Sequence, residues 1–238
     1  RLYIIKLDKD GIVIIPCPEL AGLGNYETTV KLLQAHGKKA GIICIGPAGE
    51  MRLAAASVAM TDPDGRPSRH AARGGLGAVM GAKKIKALVI DDGATQVRQA
   101  KEKTSFQEVC RAFTKDILEH KATGLFSKYG TVGGLSYLSK IGALPTRNFS
   151  AGSFEGNARI GGKGVAELND TRGGSFGHIC MPGCVVRCSN VMHDKDKKFL
   201  TAGFEYESSA MLGANLGIDD LDAVMHLEKM CDNLGLDT

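Results

Sequence analysis

The sequence predicts an α+β chain, with mixed α/β structure first and a mainly helical portion after it. Three observations carry this. Short β-branched runs and one helical stretch alternate as far as Ile90, apolar residues then recur at helical spacing, and Gly-rich segments separate the patterned stretches. The change of character falls near Thr95–Ala100 and divides residues 1–97 from 98–238.

In the first portion, Leu2–Leu7 and Ile12–Ile15 flank Asp10-Gly11 and read as a hairpin. Tyr26–Ala35 has helical periodicity through Val30 and Leu33 and stops at Gly37, a residue suited to a left-handed helix end. Gly41–Ile45 and Ala87–Ile90 read as buried strands, the second following a Gly-rich segment. Lys83, Lys84 and Lys86 form the densest basic knot and read as a solvated segment end.

In the second portion, Ser105 and Glu108 form a capping-box pattern. Phe106, Val109, Cys110, Phe113 and Ile117 follow at helical spacing, which predicts one buried face. Ala151–Gly177 is Gly-rich and weakly patterned and reads as a long ordered loop. Ala210–Leu216 and Leu221–Leu234 read as helices, the latter with Ala223, Leu227, Met230, Cys231 and Leu234 on its buried stripe.

Composition narrows the function. The chain has 238 residues, 43% hydrophobic, 24% charged, with a net charge of +4 and 5% aromatic residues without Trp, so neither a basic patch nor a stacking platform for nucleic acid is expected. No apolar stretch approaches the roughly 20 residues of a membrane span, and no secretory signal opens the chain. Seven cysteines without a small secreted framework point to a reducing cytoplasm. The chain begins at Arg1 without a methionine and stops directly after a helical pattern, which reads as an excerpt of a longer protein.

Cys180, Cys184 and Cys188 stand together in His-Ile-Cys-Met-Pro-Gly-Cys-Val-Val-Arg-Cys-Ser-Asn, while the other four cysteines are scattered singly. Pro182-Gly183 breaks any helix, so the thiols are expected on a turn that wraps a ligand. Soft thiolates select zinc or an iron–sulfur cluster. The compact triplet favours the cluster over zinc, for which His178 or His193 would complete the site, and buried or reactive thiols are the bland alternative. Arg69-His70-Ala71-Ala72-Arg73 leads into Gly74–Gly81, where arginine forks and small residues suit phosphate oxygens, or a simple packing turn. It matches neither a Walker loop nor the dinucleotide fingerprint. Asp232-Asn233-Leu234-Gly235-Leu236-Asp237 alone reads as a helix end, and Glu205-Tyr206-Glu207 as a solvated helix start.

Together with Ile45–Glu50, Leu144–Phe149 and Gly217–Asp222, these segments resemble the aldehyde:ferredoxin oxidoreductases through nearly the whole chain. The resemblance implies a tungsten or molybdenum ion on two pterins (tungstopterin or molybdopterin) beside a 4Fe-4S cluster, with magnesium between the pterin phosphates. It places the phosphate and magnesium contacts on Arg69, His70 (through its backbone), Ala72 and Arg73, and a pterin contact on Asp232, Leu236 and Asp237. It assigns Cys180, Cys184 and Cys188 to the cluster, with the fourth cysteine beyond this chain, and proton transfer to Glu207 with Glu205 as alternate.

The implied reaction is aldehyde to carboxylic acid, with ferredoxin as electron partner, in a cytoplasmic enzyme whose family is compatible with a homodimer. Two departures stand out. Three residues separate Cys180 from Cys184 where two are usual, and the place of an intersubunit Glu-x-x-His iron site reads His226-Leu227-Glu228-Lys229, so no such iron is expected. The chain reads as the central two-fifths or so of a family member, inactive and without cofactors by itself. A non-catalytic iron–sulfur or zinc module, or a member acting on a non-aldehyde substrate, are the competing readings.

Overall fold

The computed structural model describes residues 1–93 and 98–237. The expected boundary near Thr95–Ala100 falls partly outside the described residues. The chain divides into two units, Arg1–Thr95 with Leu227–Thr238, and Gln96–His226.

The first unit is built on a mixed six-stranded sheet. Its elements run β1 (Tyr3–Asp8), β2 (Gly11–Pro16), α1 (Asn25–His36), β3 (Gly41–Cys44), α2 (Pro47–Glu50), β4 (Val58–Met60), β5 (Arg69–Ala71), α3 (Leu76–Ala82) and β6 (Ile85–Ile90). The strand order is β2-β1-β6-β3-β4-β5, with β1 and β6 parallel and the other neighbours antiparallel. The hairpin forms as expected, with Asp8 opposite Gly11. Helix α1 ends where expected, Gly37 taking φ 101° and donating its N–H to the Leu33 carbonyl.

Alternation along the central strands selects the core. Ile42 lies opposite Val89 and Cys44 opposite Ala87, and all four are buried with Ile4, Leu20, Leu32 and Ala59. Burial pushes the Cys44 thiol up to about 11, which keeps it neutral. At the sheet edge the exposures of Ile12, Val13 and Ile14 are 69%, 53% and 64%.

Lys86 corrects the expected solvated knot. Lys83 and Lys84 are exposed, but Lys86 is completely buried. Its ammonium donates to the Leu23 carbonyl at 2.7 Å and to Glu50 Oε1 at 2.6 Å, so an ion pair satisfies a charge that the strand carries inward. The short strands β4 and β5 were not expected, because three residues give no readable alternation.

The second unit holds α4 (Lys103–Glu119), α5 (Lys121–Tyr129), α6 (Leu135–Lys140), α7 (Asn157–Ile160), α8 (Gly162–Arg172), β7 (Ser175–His178), β8 (Ser189–His193) and β9 (Phe199–Ala202). This portion is mainly helical, as expected, and also carries an antiparallel sheet ordered β7-β8-β9. Its core gathers Leu135, Leu144, Phe154, Ile160, Val165, Met192, Phe204 and Val224.

Three local expectations are corrected here. Residues 151–177 are not one loop, since they contain α7, α8 and most of β7. Glycines hid α8 from the pattern, yet Gly162 is what allows close approach, because a Cβ there would lie 2.8 Å from Gly133 Cα. Helix α4 begins at Lys103 with Glu102 as its cap, so Ser105 sits inside it. Its apolar stripe is not buried; Phe106, Val109 and Phe113 are exposed because no described element covers them.

Residues 208–213 form a π-helical turn that continues into a 3₁₀ turn over Ala214–Leu216, in place of the expected α-helix. Helix α9 (Leu221–Leu234) forms as expected, and the unit division falls within it. Its buried residues are Leu221, Val224, Met225, Glu228 and Asp232, whereas Met230 is 57% exposed. Hydrophobicity misplaced the stripe because two of the buried positions carry carboxylates.

Candidate cofactor-binding site

In the first unit the residues expected to bind the pterin assemble around one short segment, Ala55–Ser57. On one side, Ser57 leads into β4, whose Ala59 pairs with His70 of β5. On the other, the turn after α9 is stitched to the same segment. Ser57 N donates to Gly235 O at 2.8 Å, Asp237 N donates to Ala55 O at 2.8 Å, and Ala56 bridges to Leu236. Gly235 takes φ 77° as the helix ends and donates to Cys231 O at 2.8 Å. Gly46 is required beneath this turn, since a Cβ there would overlap the Leu234 carbonyl and lie 2.9 Å from Asn233 O. Thus Arg69–Ala72 and Asp232–Asp237, far apart in sequence, flank one edge.

Side chains complete the join. His70 Nε2 lies 3.2 Å from Asp232 Oδ1, and His70 Nδ1 is 2.8 Å from Ser57 Oγ. The Tyr26 hydroxyl donates to Asp232 Oδ2 at 3.4 Å, and Asn25 Nδ2 donates to Asp232 O at 2.7 Å. Asp232 is only 8% exposed, so these groups set the direction of its carboxylate. Lys229 places its ammonium 2.9 Å from the centre of the Tyr26 ring. Burial pulls the Lys229 pKa down to about 8, against the opposing pull of Asp232 and Glu228.

The Gly-rich segment divides its labour. Gly77 and Gly81 serve packing, because a Cβ on either would overlap the carbonyl of Ser57 or of Gly49. Gly74 is different: it takes φ 92°, is exposed, and a Cβ there would meet nothing within 4 Å. Arg73 beside it is exposed and Arg69 partly buried. Two arginines, open backbone and a fixed buried carboxylate make a donor set that fits a phosphorylated, hydrogen-bonding heterocycle.

In the second unit the cysteines occupy the loop between β7 and β8, with Cys184 N donating to Met181 O at 3.3 Å and Gly183 at φ 83°. They lie on a turn, as Pro182-Gly183 predicts. All three are free; Cys180 is exposed, and Cys184 and Cys188 are partly buried. Three thiols on one turn are a donor set that suits zinc or an iron–sulfur cluster. Burial first, then Glu205, pushes the Cys188 thiol upward.

Glu205 and Glu207 diverge. Glu205 Oε2 accepts from Thr131 Oγ1 at 2.6 Å, whereas Glu207 is exposed at the cap of the π-helical turn. Tyr206 between them is raised by burial and secondarily by Glu207. π-helical turns recur at functional sites. Ser57, Tyr26, Lys229 and Thr131 were not anticipated, and no motif marks them; only their neighbours in space do. No helix of the described residues is long and apolar enough to cross a membrane.

Comparison with known proteins gives the family. Residues 1–92 match the family described as "Aldehyde ferredoxin oxidoreductase, N-terminal domain", and residues 108–238 match "Aldehyde ferredoxin oxidoreductase, domains 2 & 3". A tungsten-containing aldehyde ferredoxin oxidoreductase of Thermococcus kodakarensis is 34% identical over 98% of this chain, and one of Pyrococcus horikoshii is 36% identical over 98%. A Pyrococcus furiosus protein named "Aliphatic sulfonate oxidoreductase, WOR-like subunit" is 29% identical over 92% of the chain. The chain spans about 37% of the length of the first two relatives. The fold also matches the active-site complex BamBC of benzoyl coenzyme A reductase, with a TM-score of 0.70 and 20% identity over 100% of this chain and 36% of that one. With both family matches in place, the chain belongs to the aldehyde ferredoxin oxidoreductase family.

Proposed function

We propose that the protein to which these residues belong oxidises an aldehyde to a carboxylic acid and passes the electrons to ferredoxin. The observation that supports this most is the meeting of β5 with the turn after α9, where His70 and Asp232 lie 3.2 Å apart. It assembles the expected pterin-contacting residues inside one unit of a chain whose relatives are tungsten enzymes. When bound, the bis-pterin metal centre supplies the two-electron acceptor and the 4Fe-4S cluster the one-electron outlet.

The residues of this chain bind, orient and move protons. Arg69, His70 (through its backbone), Ala72 and Arg73 would contact the pterin phosphates and their magnesium, the two arginines neutralising phosphate charge. Asp232, Leu236 and Asp237 engage the pterin, with Asp232 aimed by Tyr26 and His70. Cys180, Cys184 and Cys188 would ligate the cluster. Glu207 receives a proton as water adds to the carbonyl. Aldehyde and water give acid, two protons and two electrons, and the electrons leave singly.

Full-length protein purified anaerobically should contain iron and sulfide near four each per chain, with tungsten or molybdenum and pterin, and should reduce a dye with aldehydes. Zinc without sulfide and no aldehyde-dependent reduction would overturn this reading in favour of a structural module. A second reading, the same centre acting on a substrate other than an aldehyde, is favoured by the similarity to the sulfonate oxidoreductase subunit. Full cofactor loading with no activity on any aldehyde would select it.

A further inference from the structure

We propose that Glu205 is a fixed anion that lowers the reduction potential of the iron–sulfur cluster, held beside Cys188 by Thr131. This rests on the cluster assignment above and concerns a residue in no binding role there.

The geometry is a clamp around one threonine. The Thr131 N–H donates to the Cys188 carbonyl at 3.3 Å. Its hydroxyl donates to Glu205 Oε2 at 2.6 Å and accepts from the Tyr206 N–H at 2.9 Å. With its lone pair facing that N–H, the hydroxyl has its proton directed at the carboxylate, and an ionised carboxylate accepts that bond best.

A second set of bonds ties the same segments. Asn190, two residues beyond Cys188, donates through Nδ2 to Phe204 O at 2.9 Å, and its carbonyl accepts from Gly203 N at 2.9 Å. Gly130 is packed against the Asn190 side chain, so the approach to Thr131 has no room to shift. The backbone on both sides of the pair is therefore fixed.

A partly buried carboxylate held by Thr131, whose own N–H binds the Cys188 carbonyl, adds negative charge near a ligating residue where the low dielectric preserves its effect. Net charge near a cluster sets its potential, and a negative one disfavours the reduced form. Glu205 is thereby distinguished from Glu207, which is exposed and available for proton transfer. In a route that must end on a low-potential acceptor such as ferredoxin, a lowered cluster potential keeps the last transfer downhill.

The test uses full-length protein with its cluster assembled, titrated redox-wise and followed by electron paramagnetic resonance of the reduced cluster. Glu205→Gln keeps the shape and an acceptor for Thr131 but removes the charge. The midpoint should move positive with iron content unchanged, and Glu205→Asp should return it toward the wild-type value. Thr131→Val, which releases the carboxylate, should shift it in the same direction as the glutamine variant. An unchanged midpoint in fully loaded Glu205→Gln overturns the proposal. So does loss of iron in both Glu205→Gln and Thr131→Val, because the pair would then be structural. If the wild-type protein itself holds no iron, the cluster assignment fails instead.

Discussion

Replacing Glu50 by Ala strands a lysine in the interior of the first unit. Lys86 is completely buried, and its ammonium has Leu23 O at 2.7 Å and Glu50 Oε1 at 2.6 Å. Glu50 is itself fixed by the Gly22 N–H at 2.9 Å. At 2.6 Å the Coulomb attraction is about 6 kcal/mol at an effective dielectric near 20. Desolvation offsets part of that, and breaking such a pair from one side costs about 3–5 kcal/mol. Since about 1.4 kcal/mol is a factor of ten, opening of the sheet should become more frequent by at least about a hundredfold.

Hydrogen exchange of full-length protein, read by mass spectrometry on peptides covering β3 and β6, measures this directly. The double variant Lys86→Met/Glu50→Leu removes both charges and should recover most of the lost protection, because the uncompensated charge and not the missing bond carries the cost. Exchange in Glu50→Ala within about threefold of wild type would refute the argument. So would a double variant whose loss equals or exceeds the sum of the single losses.

Two further outcomes follow from the same unit. Gly46→Ala forces a methyl into the Leu234 carbonyl, and overpacking against backbone costs about 1–3 kcal/mol; the thermal midpoint should fall and pterin content with it, whereas Gly22→Ala, with open space but φ 75°, should leave pterin content unchanged. Lys229, pulled down to about 8 by burial, should acylate in competitive amine labelling with a midpoint near that pH, well below the roughly 10.4 of an ordinary lysine. Because its folded value lies below the unfolded one, the unfolded chain binds more protons between about pH 8 and about pH 10.4, so stability rises with pH across that window. Lys229→Met should abolish that rise, and a labelling midpoint near the ordinary lysine value of about 10.4 would contradict the burial argument.

The elements that sequence made legible are those whose apolar side chains alternate or recur over enough residues to show a period. The hairpin, α1, β3, β6 and α9 are of this kind. Where a buried strand or helix carries a charge, as at Lys86, Glu228 and Asp232, hydropathy misjudges the face, because the compensating partner lies elsewhere in the chain. Helix α4 fails in the opposite sense: its stripe is real, but amphipathicity states only that a face can be buried. In the site, Arg69–Arg73 and Asp232–Asp237 stood out as local patterns. That they meet depends on Gly46, Ala55–Ser57 and backbone hydrogen bonds that no single segment encodes. Thr131, which ties Glu205 to Cys188, is invisible for the same reason.

The outer strand β2 has a consequence for handling the polypeptide in solution. Its Ile12-Val13-Ile14-Ile15 run combines high β-propensity with no charge, at the margin of the sheet and largely in water. A free strand margin of this composition templates the addition of another chain, and only Pro16, which has no N–H to donate, blunts its end. A single lysine at Ile14, which is 64% exposed, would interrupt this run without touching the interior.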